Sequence, residues 1–420
     1  MRILYIAFEN PALYTILNGM HDDELGGLPA FYHPFKMLLE RGNTIDVLLI
    51  SDHDFDVVPS DYFNASNLNV LKIRNRGLVG SVEIPLRMLS QVRKLLKERH
   101  YGFVYGMGEG AYPGIAVANK MGVPCALRQF GTQEMANVLE TIPGKHARYI
   151  KALKEYPYIT LSMLGKMSFL LATNDGSRAD ELYDILGVKK KKFPFFFWRS
   201  GVNIPQAQPV VDFQKQGNYP QTYDSMALSM INRIADVKRQ DRAVQILEEL
   251  HRRGYHFHIY FVGTGSVPEN EMYQRALSLA QKYNLIDYVH FEGGKSQNEC
   301  HQYARNSFAT LMPCEWNRVN IFYELMGEGS VVATNDNHSI DEFIEDGVNC
   351  IVYEEDNFAQ AAEKIISLMD DPEKNKAIRA EAYRTAKEKF MSLEKRFGME
   401  AQLVEDVAKG KDLSRYPIVL

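Results

Sequence analysis

The chain reads as two α/β domains, each a parallel sheet with helices on both faces. Apolar strand-like runs alternate with amphipathic helix-like runs along the 420 residues. The strand-like runs are near-continuously apolar, the pattern of strands buried on both sides. The alternation restarts after about residue 222, beyond PQAQPVVDFQKQGNYPQTYD, whose Pro, Gln and polar residues read as a linker.

In the first half the strand candidates are RILYIAF, TIDVLLI, NVLKI, FVYGM, CALRQF and FLLAT. Between them AFYHPFKMLLERG, IPLRMLSQVRKLLKER and ADELYDILG carry the apolar period of helices. KKKKFPFFFWRSG sets Lys189 to Lys192 ahead of Phe193, Phe195, Phe196, Phe197 and Trp198. A buried strand entered from a basic loop is the favoured reading. Peripheral contact with a membrane surface is the other, which the basic and apolar stretch KHARYIKALKEYPYITLSMLGKMSFLL would extend. In the second half SMALSMI, FHIYFVG, YVHFEGG, FATLMP and SVVATN read as strands. AVQILEELHRRG, ENEMYQRALSLAQKYN and FAQAAEKIISLMDD read as helices. The last helices end near Lys411, with no strand expected after them.

Composition is that of a globular protein, 45% hydrophobic and 24% charged, and the length suits two domains. A net charge of −5 argues against a nucleic-acid partner, which calls for a dominant basic face. The four cysteines, Cys125, Cys300, Cys314 and Cys350, form no CxxC pair and fit neither a zinc site nor a disulfide framework. A reducing cytoplasm is the simplest home, with any membrane contact on its cytoplasmic face. MRILYIAF is too short for a signal peptide, and no run reaches the ~18 apolar residues of a membrane span.

The residues that suggest chemistry lie at strand ends. HDDELGGLPA follows the first strand, and Gly26 and Gly27 let backbone approach a ligand before a helix start that favours anions. A strand-to-helix turn also needs glycine for its own sake. No GxGxxG follows that strand, which counts against a dinucleotide-dependent dehydrogenase. Asp22, Asp23 and Glu24 read as a solvated loop rather than a metal site.

After SMALSMI, the segment NRIADVK places Arg233 and Lys238 five residues apart. Ordinary surface charges look the same in isolation. The C-terminal edge of the first strand of a parallel sheet, however, faces the crevice where such folds bind ligands. Gly263 and Gly265 of VGTGS line the same edge, where a tight turn also explains them. EWNRVNIFYE then opens a helix: Asn317, Arg318, Val319 and Asn320 would present backbone N–H groups at its start, and Glu324 falls on the next turn. Two cations followed by the carboxylates Glu315 and Glu324 suit a nucleotide diphosphate-sugar. The cations neutralise phosphates, and the carboxylates hold ribose and sugar hydroxyls.

The order of these segments resembles that of the retaining GT-B glycosyltransferases of glycosyltransferase family 4, the glycosyl transferases group 1. The resemblance rests on ELGGLPAFYHPFKMLLERGN, SGVN at 200–203, NRIADVK, FVGTGS, LIDYVHFEGG, EWNRVNIFYELMGEGSVVATN and DEFIEDGVNCIVY. It implies two Rossmann-like domains facing across a cleft: an acceptor domain over 1–205 and a donor domain over 206–390. A C-terminal helix over 391–420 would cross back to the first. It further implies that Arg233 and Lys238 bind the diphosphate, Glu324 the ribose and Glu315 the donor sugar. Gly27 would lie against phosphate and sugar. The backbone of Glu292, Gly293, Gly294 and Lys295 would frame the base. Neither metal nor cofactor is implied; the nucleotide-sugar is a co-substrate, uridine being the commonest base.

Two departures stand out. The family pattern has seven residues between its glutamates, whereas eight separate Glu315 from Glu324, so Trp316 stands in the first-glutamate register unless a bulge turns Glu315 inward. Phe130 stands where the family often has a histidine near the 6-hydroxyl of the donor sugar, which favours a pentose or 6-deoxy sugar. Glu109 and Arg128, at neighbouring strand ends, are candidates for the acceptor side; a structural ion pair accounts for them as well. The resemblance implies transfer of a sugar to a hydroxyl acceptor in bacterial polysaccharide or glycoconjugate synthesis. Alternatives are a nucleotide-sugar epimerase on the same fold and a catalytically degenerate binding partner.

Overall fold

The computed structural model describes residues 1–9, 13, 29–51, 67–73, 77–188, 193–209, 227–316, 319–337 and 339–420. They form two compact units, Met1–Ser200 with Leu393–Leu420, and Gly201–Ser392.

The first unit contains β1 (Arg2–Phe8), β2 (Thr44–Ser51), β3 (Leu68–Lys72), β4 (Phe103–Met107), β5 (Cys125–Gln129), β6 (Phe169–Thr173) and β7 (Phe195–Trp198). They lie in the order β3-β2-β1-β4-β5-β6-β7, every pair parallel. All residues of β4, β5 and β6 are buried because both faces are covered. Leu4, Ile6, Val104, Leu127 and Leu170 pack on one side with Met88, Val92 and Ile115. Ile3, Tyr5, Tyr105, Phe169 and Trp198 pack on the other, with Phe35 and Leu38 of the helix Pro29–Glu40 and with Ala401, Leu403 and Val404 of the helix Leu393–Ala408.

The aromatic run FFFW is a strand, half-buried at Phe195 and buried from Phe196 to Trp198. The expectation that nothing strand-like follows the last helix needs correcting. Phe197 N donates to Ile418 O (2.8 Å), Leu420 N to Phe197 O (3.0 Å) and Arg199 N to Leu420 O (2.9 Å). Trp198 Nε1 adds a bond to Pro417 O at 2.7 Å. These bonds cover the edge of β7, which would otherwise offer unpaired backbone groups. The segment is too short to show strand periodicity in the sequence.

The second unit contains β8 (Ala227–Ile231), β9 (His258–Val262), β10 (Val289–Gly293), β11 (Ala309–Met312), β12 (Val332–Asp336) and β13 (Ile351–Glu354). Their order is β10-β9-β8-β11-β12-β13, again parallel throughout. β13 was not foreseen as a strand, since IVYE supplies only three apolar residues. In each sheet the winding reverses at its first strand: β1 lies between β2 and β4, and β8 between β9 and β11. A doubly wound sheet opens its ligand crevice at the C-terminal ends of those strands. No helix among the described residues is long and apolar enough to cross a membrane.

Candidate functional site

The second sheet's switch point gathers most of the residues singled out in the sequence. β8 is buried along its length and releases the chain at Asn232. Its neighbour holds that exit in place: Asn232 N donates to Val262 O (2.9 Å) and Ile234 N to Thr264 O (2.8 Å). Gly263 makes this possible. Its φ is +151°, and a Cβ there would lie 2.1 Å from Asn232 O. Gly265, at φ +104°, would bring a Cβ to 3.0 Å from Ile234 O. These glycines are required by the close passage of two backbones.

The chain then turns through Asp236–Lys238, with Lys238 N donating to Ala235 O at 2.8 Å. Glu315 N, just beyond β11, donates to Val237 O at 3.1 Å. That bond ties the loop after β11 to the turn after β8, so Arg233, Lys238 and Glu315 belong to one local structure.

The charges there are unequally engaged. Arg239, held at φ +59°, grips Asp241 through two bonds of 3.0 Å, and its Nη1 lies 3.8 Å from Glu315 Oε1. Hydrogen bonding to Asp241 raises its pKa. Arg242 pairs with Glu355 (3.0 Å) and Asp356 (2.9 Å), and Arg275 approaches Asp236 at 3.6 Å. Arg233 is exposed and Lys238 half-buried, and among the described residues neither side chain has a carboxylate partner. Below them lies the buried Cys314, whose thiol burial pushes up against the opposing charges of Lys238 and Arg242.

Glu315 and Trp316 are half-buried, and the helix Asn320–Gly327 starts after Val319 in extended backbone. Glu324, on its second turn, is buried. Asn317 and Arg318 lie outside the described residues, as do Gly26, Gly27, Asp22, Asp23, Glu24 and Lys189 to Lys192.

At the end of β10, Gly293 O accepts from Gly263 N at 2.8 Å, which sets the Glu292–Lys295 backbone beside the VGTGS turn. Glu292 accepts from Tyr303 Oη (2.9 Å), with Lys295 Nζ at 3.8 Å. A Cβ on Gly294 would lie 3.0 Å from Thr264 Cγ2.

The first unit's candidates fare differently. Arg128 is completely buried and bonded to Glu400 of the helix Leu393–Ala408, which also accepts from Tyr105 Oη (2.6 Å) and Arg396 Nη1 (3.0 Å). The acceptor-side reading of Arg128 therefore needs correcting, and its ion-pair partner is Glu400 rather than Glu109. Glu109 opens the short turn after β4, half-buried, and burial pushes its carboxyl pKa up. Phe130 stacks on Phe31 with centroids 4.5 Å apart, and the Arg128 guanidinium lies 5.4 Å from its ring.

Three residues escaped the sequence reading. Asp175 follows β6 in the segment NDGS, and burial lifts its pKa to about 6 against hydrogen bonds with Ser177. Its polar segment at a strand's C-terminal end was a usable signal. Arg239 was overlooked beside Lys238. His301, which contacts Glu324, has no local signature, because the contact crosses between helices.

Two such sheets with a helical C-terminal end define the class: the chain has the GT-B fold. Sucrose-phosphate synthase from Thermosynechococcus elongatus superposes with a TM-score of 0.72 at 13% identity, covering 98% of this chain and 100% of that one. Anabaena HepE in complex with UDP and glucose gives 0.64 at 13% identity over 97% and 100%. WaaG, a glycosyltransferase involved in lipopolysaccharide biosynthesis, gives 0.64 at 15% identity over 96% and 99%. Within the chain, residues 218–385 match the family model "Glycosyl transferases group 1". No curated protein matches the sequence.

Proposed function

We propose that the protein is a retaining glycosyltransferase that moves a sugar from a nucleotide diphosphate-sugar to a hydroxyl acceptor. The observation that carries this reading is the pair of cations at the end of β8. Arg239, Arg242 and Arg275 all meet carboxylates, while Arg233 and Lys238 at the same edge do not, among the described residues. Cations left open at a switch point suit a diphosphate, and they would stabilise the charge that develops on it as the glycosidic bond breaks. The family match over 218–385 supports the same assignment.

In this reading the second unit holds the donor. Glu324 receives the ribose hydroxyls, the backbone of Glu292–Lys295 frames the base, and Glu315 or Trp316 meets the sugar. Asn317, Arg318, Val319 and Asn320 complete the donor site. The leaving phosphate helps deprotonate the incoming hydroxyl on the same face, which retains configuration, and no metal is needed. HepE's complex with UDP and glucose supports a uridine donor. Phe130 in place of a histidine favours a sugar lacking a 6-hydroxyl. Glu109 and Asp175 in the first unit are the acceptor-side candidates. Bacterial polysaccharide or glycoconjugate assembly on the cytoplasmic side of a membrane is the setting.

A thermal-shift panel of UDP, GDP, ADP and TDP with their common sugars, run on wild type and Arg233→Ala, tests the site. A shift for one nucleotide that disappears in the variant is expected. A shift equal in both proteins rules out Arg233 as a phosphate ligand. Trp316 in the glutamate register favours one second reading, a donor-binding protein without turnover. Nucleotide binding with no product across a broad acceptor panel would select it.

A further inference from the structure

The helix Gln297–Asn306 faces Glu324 with a charge arrangement that donor binding alone does not explain. Glu324 and Glu328 lie four residues apart on one face of their helix and its cap. His301 and Arg305, also four apart, meet them from the other helix. His301 Nδ1 is 3.0 Å from Glu328 Oε1, and His301 Nε2 is 3.5 Å from Glu324 Oε2. Arg305 Nε bonds the second oxygen of Glu328. The His301, Glu324 and Glu328 side chains are 13%, 10% and 2% exposed, so little water screens these charges.

We infer that His301 is a positioning residue for Glu324, and that selection of a ribose over a deoxyribose depends on a proton at its Nε2. The inference rests on the reading of Glu324 as the ribose carboxylate. An imidazole that carries both protons is paired by charge with both glutamates at once. Neutral imidazole keeps one N–H, and Glu328 is the nearer acceptor. Loss of the proton therefore releases Glu324 and leaves the Glu328–Arg305 pair intact. Burial alone would lower the pKa of His301, but hydrogen bonds and charge from Glu324 and Glu328 overcome it and hold it at about 9. Glu328 is itself kept below the ordinary carboxylate range, its burial outweighed by bonds from His301 and Arg305. Cys300, beside Glu324, stays neutral through the same range, its thiol raised to about 11 first by burial and then by the Glu324 charge.

The test is calorimetric titration of the full chain with the diphosphates of uridine, adenosine and guanosine and their 2′-deoxy and 3′-deoxy counterparts, at pH 7 and pH 10. The ratio of ribose to deoxyribose affinity cancels any titration that acts on the diphosphate alone. Wild type should prefer the ribose form by about tenfold or more at pH 7, the scale of one hydrogen bond to a charged group. That preference should fall below about threefold at pH 10, with the change centred near pH 9. His301→Leu should show the small preference at both pH values, and Glu324→Gln should show no pH dependence. A wild-type preference equal at pH 7 and pH 10 overturns the inference, whether or not His301→Leu folds. A full preference retained in Glu324→Gln overturns the ribose assignment and leaves the diphosphate site standing. No binding of any diphosphate to wild type overturns the nucleotide-sugar reading itself.

Discussion

Two sets of charges, one in each unit, show what burial does to a charged side chain. Arg128, Arg396 and Glu400 are almost entirely removed from water, and the carboxylate is bonded to both guanidinium groups and to Tyr105. Burial would push the Glu400 carboxyl up, but the two arginines outweigh it and hold its pKa below the ordinary value. Arg233 and Lys238 are at the opposite extreme, more open to solvent and without a carboxylate among the described residues. A buried charge must be matched inside the protein, so it reports on architecture. An unmatched charge at a sheet's switch point is free to meet a ligand. The sequence places Arg128 and Arg233 alike near strand ends and does not tell their roles apart.

The comparison breaks most sharply at Glu400. Glu400→Gln leaves two guanidinium groups buried without their counter-charge and should cost about 3–5 kcal/mol of stability, read as a lower urea midpoint. Removing an open cation should do the reverse. Arg233→Ala and Lys238→Ala should each cut turnover ~100-fold or more, about 2.7 kcal/mol of transition-state stabilisation. Their urea midpoints should stay within about 0.5 kcal/mol of wild type. A large loss of stability in Arg233→Ala would contradict the distinction.

His301 falls between the two. Its pKa rises from an ordinary 6.5 to about 9 in the folded protein. The folded state thus binds the proton more tightly, which contributes stability fully present below pH 6.5 and lost as pH rises through about 9. Urea midpoints of wild type and His301→Leu should converge between pH 7 and pH 10. The smallest effect belongs to the solvent: Arg384 pairs with Glu381 and Glu388 on an exposed helix face, and Arg384→Ala should leave the midpoint unmoved.

The sheets were legible in the sequence because strands buried on both faces are predominantly apolar. RILYIAF, FVYGM, FLLAT and SMALSMI show this directly. The candidate ligand edge was legible for a related reason, since a parallel sheet presents the residues just after its strands. What escaped notice depends on contacts between distant segments. Glu400 is 272 residues from Arg128, and nothing in GMEAQLVED marks its carboxylate as an internal partner. The His301 contact arises only when two helices pack. The strand pairing at Ile418–Leu420 is too brief to set up a period, and its partner FFFW lies more than two hundred residues earlier.

The first unit takes its residues from both sides of the second in sequence, 1–200 and then 393–420. On a ribosome its central sheet emerges early, yet Arg128 leaves the exit tunnel long before Glu400 exists. The second unit, continuous from 201 to 392, is complete before that helix is made. The domain translated first is therefore finished last, and until then it holds an unneutralised arginine and an uncovered apolar face that a chaperone could recognise.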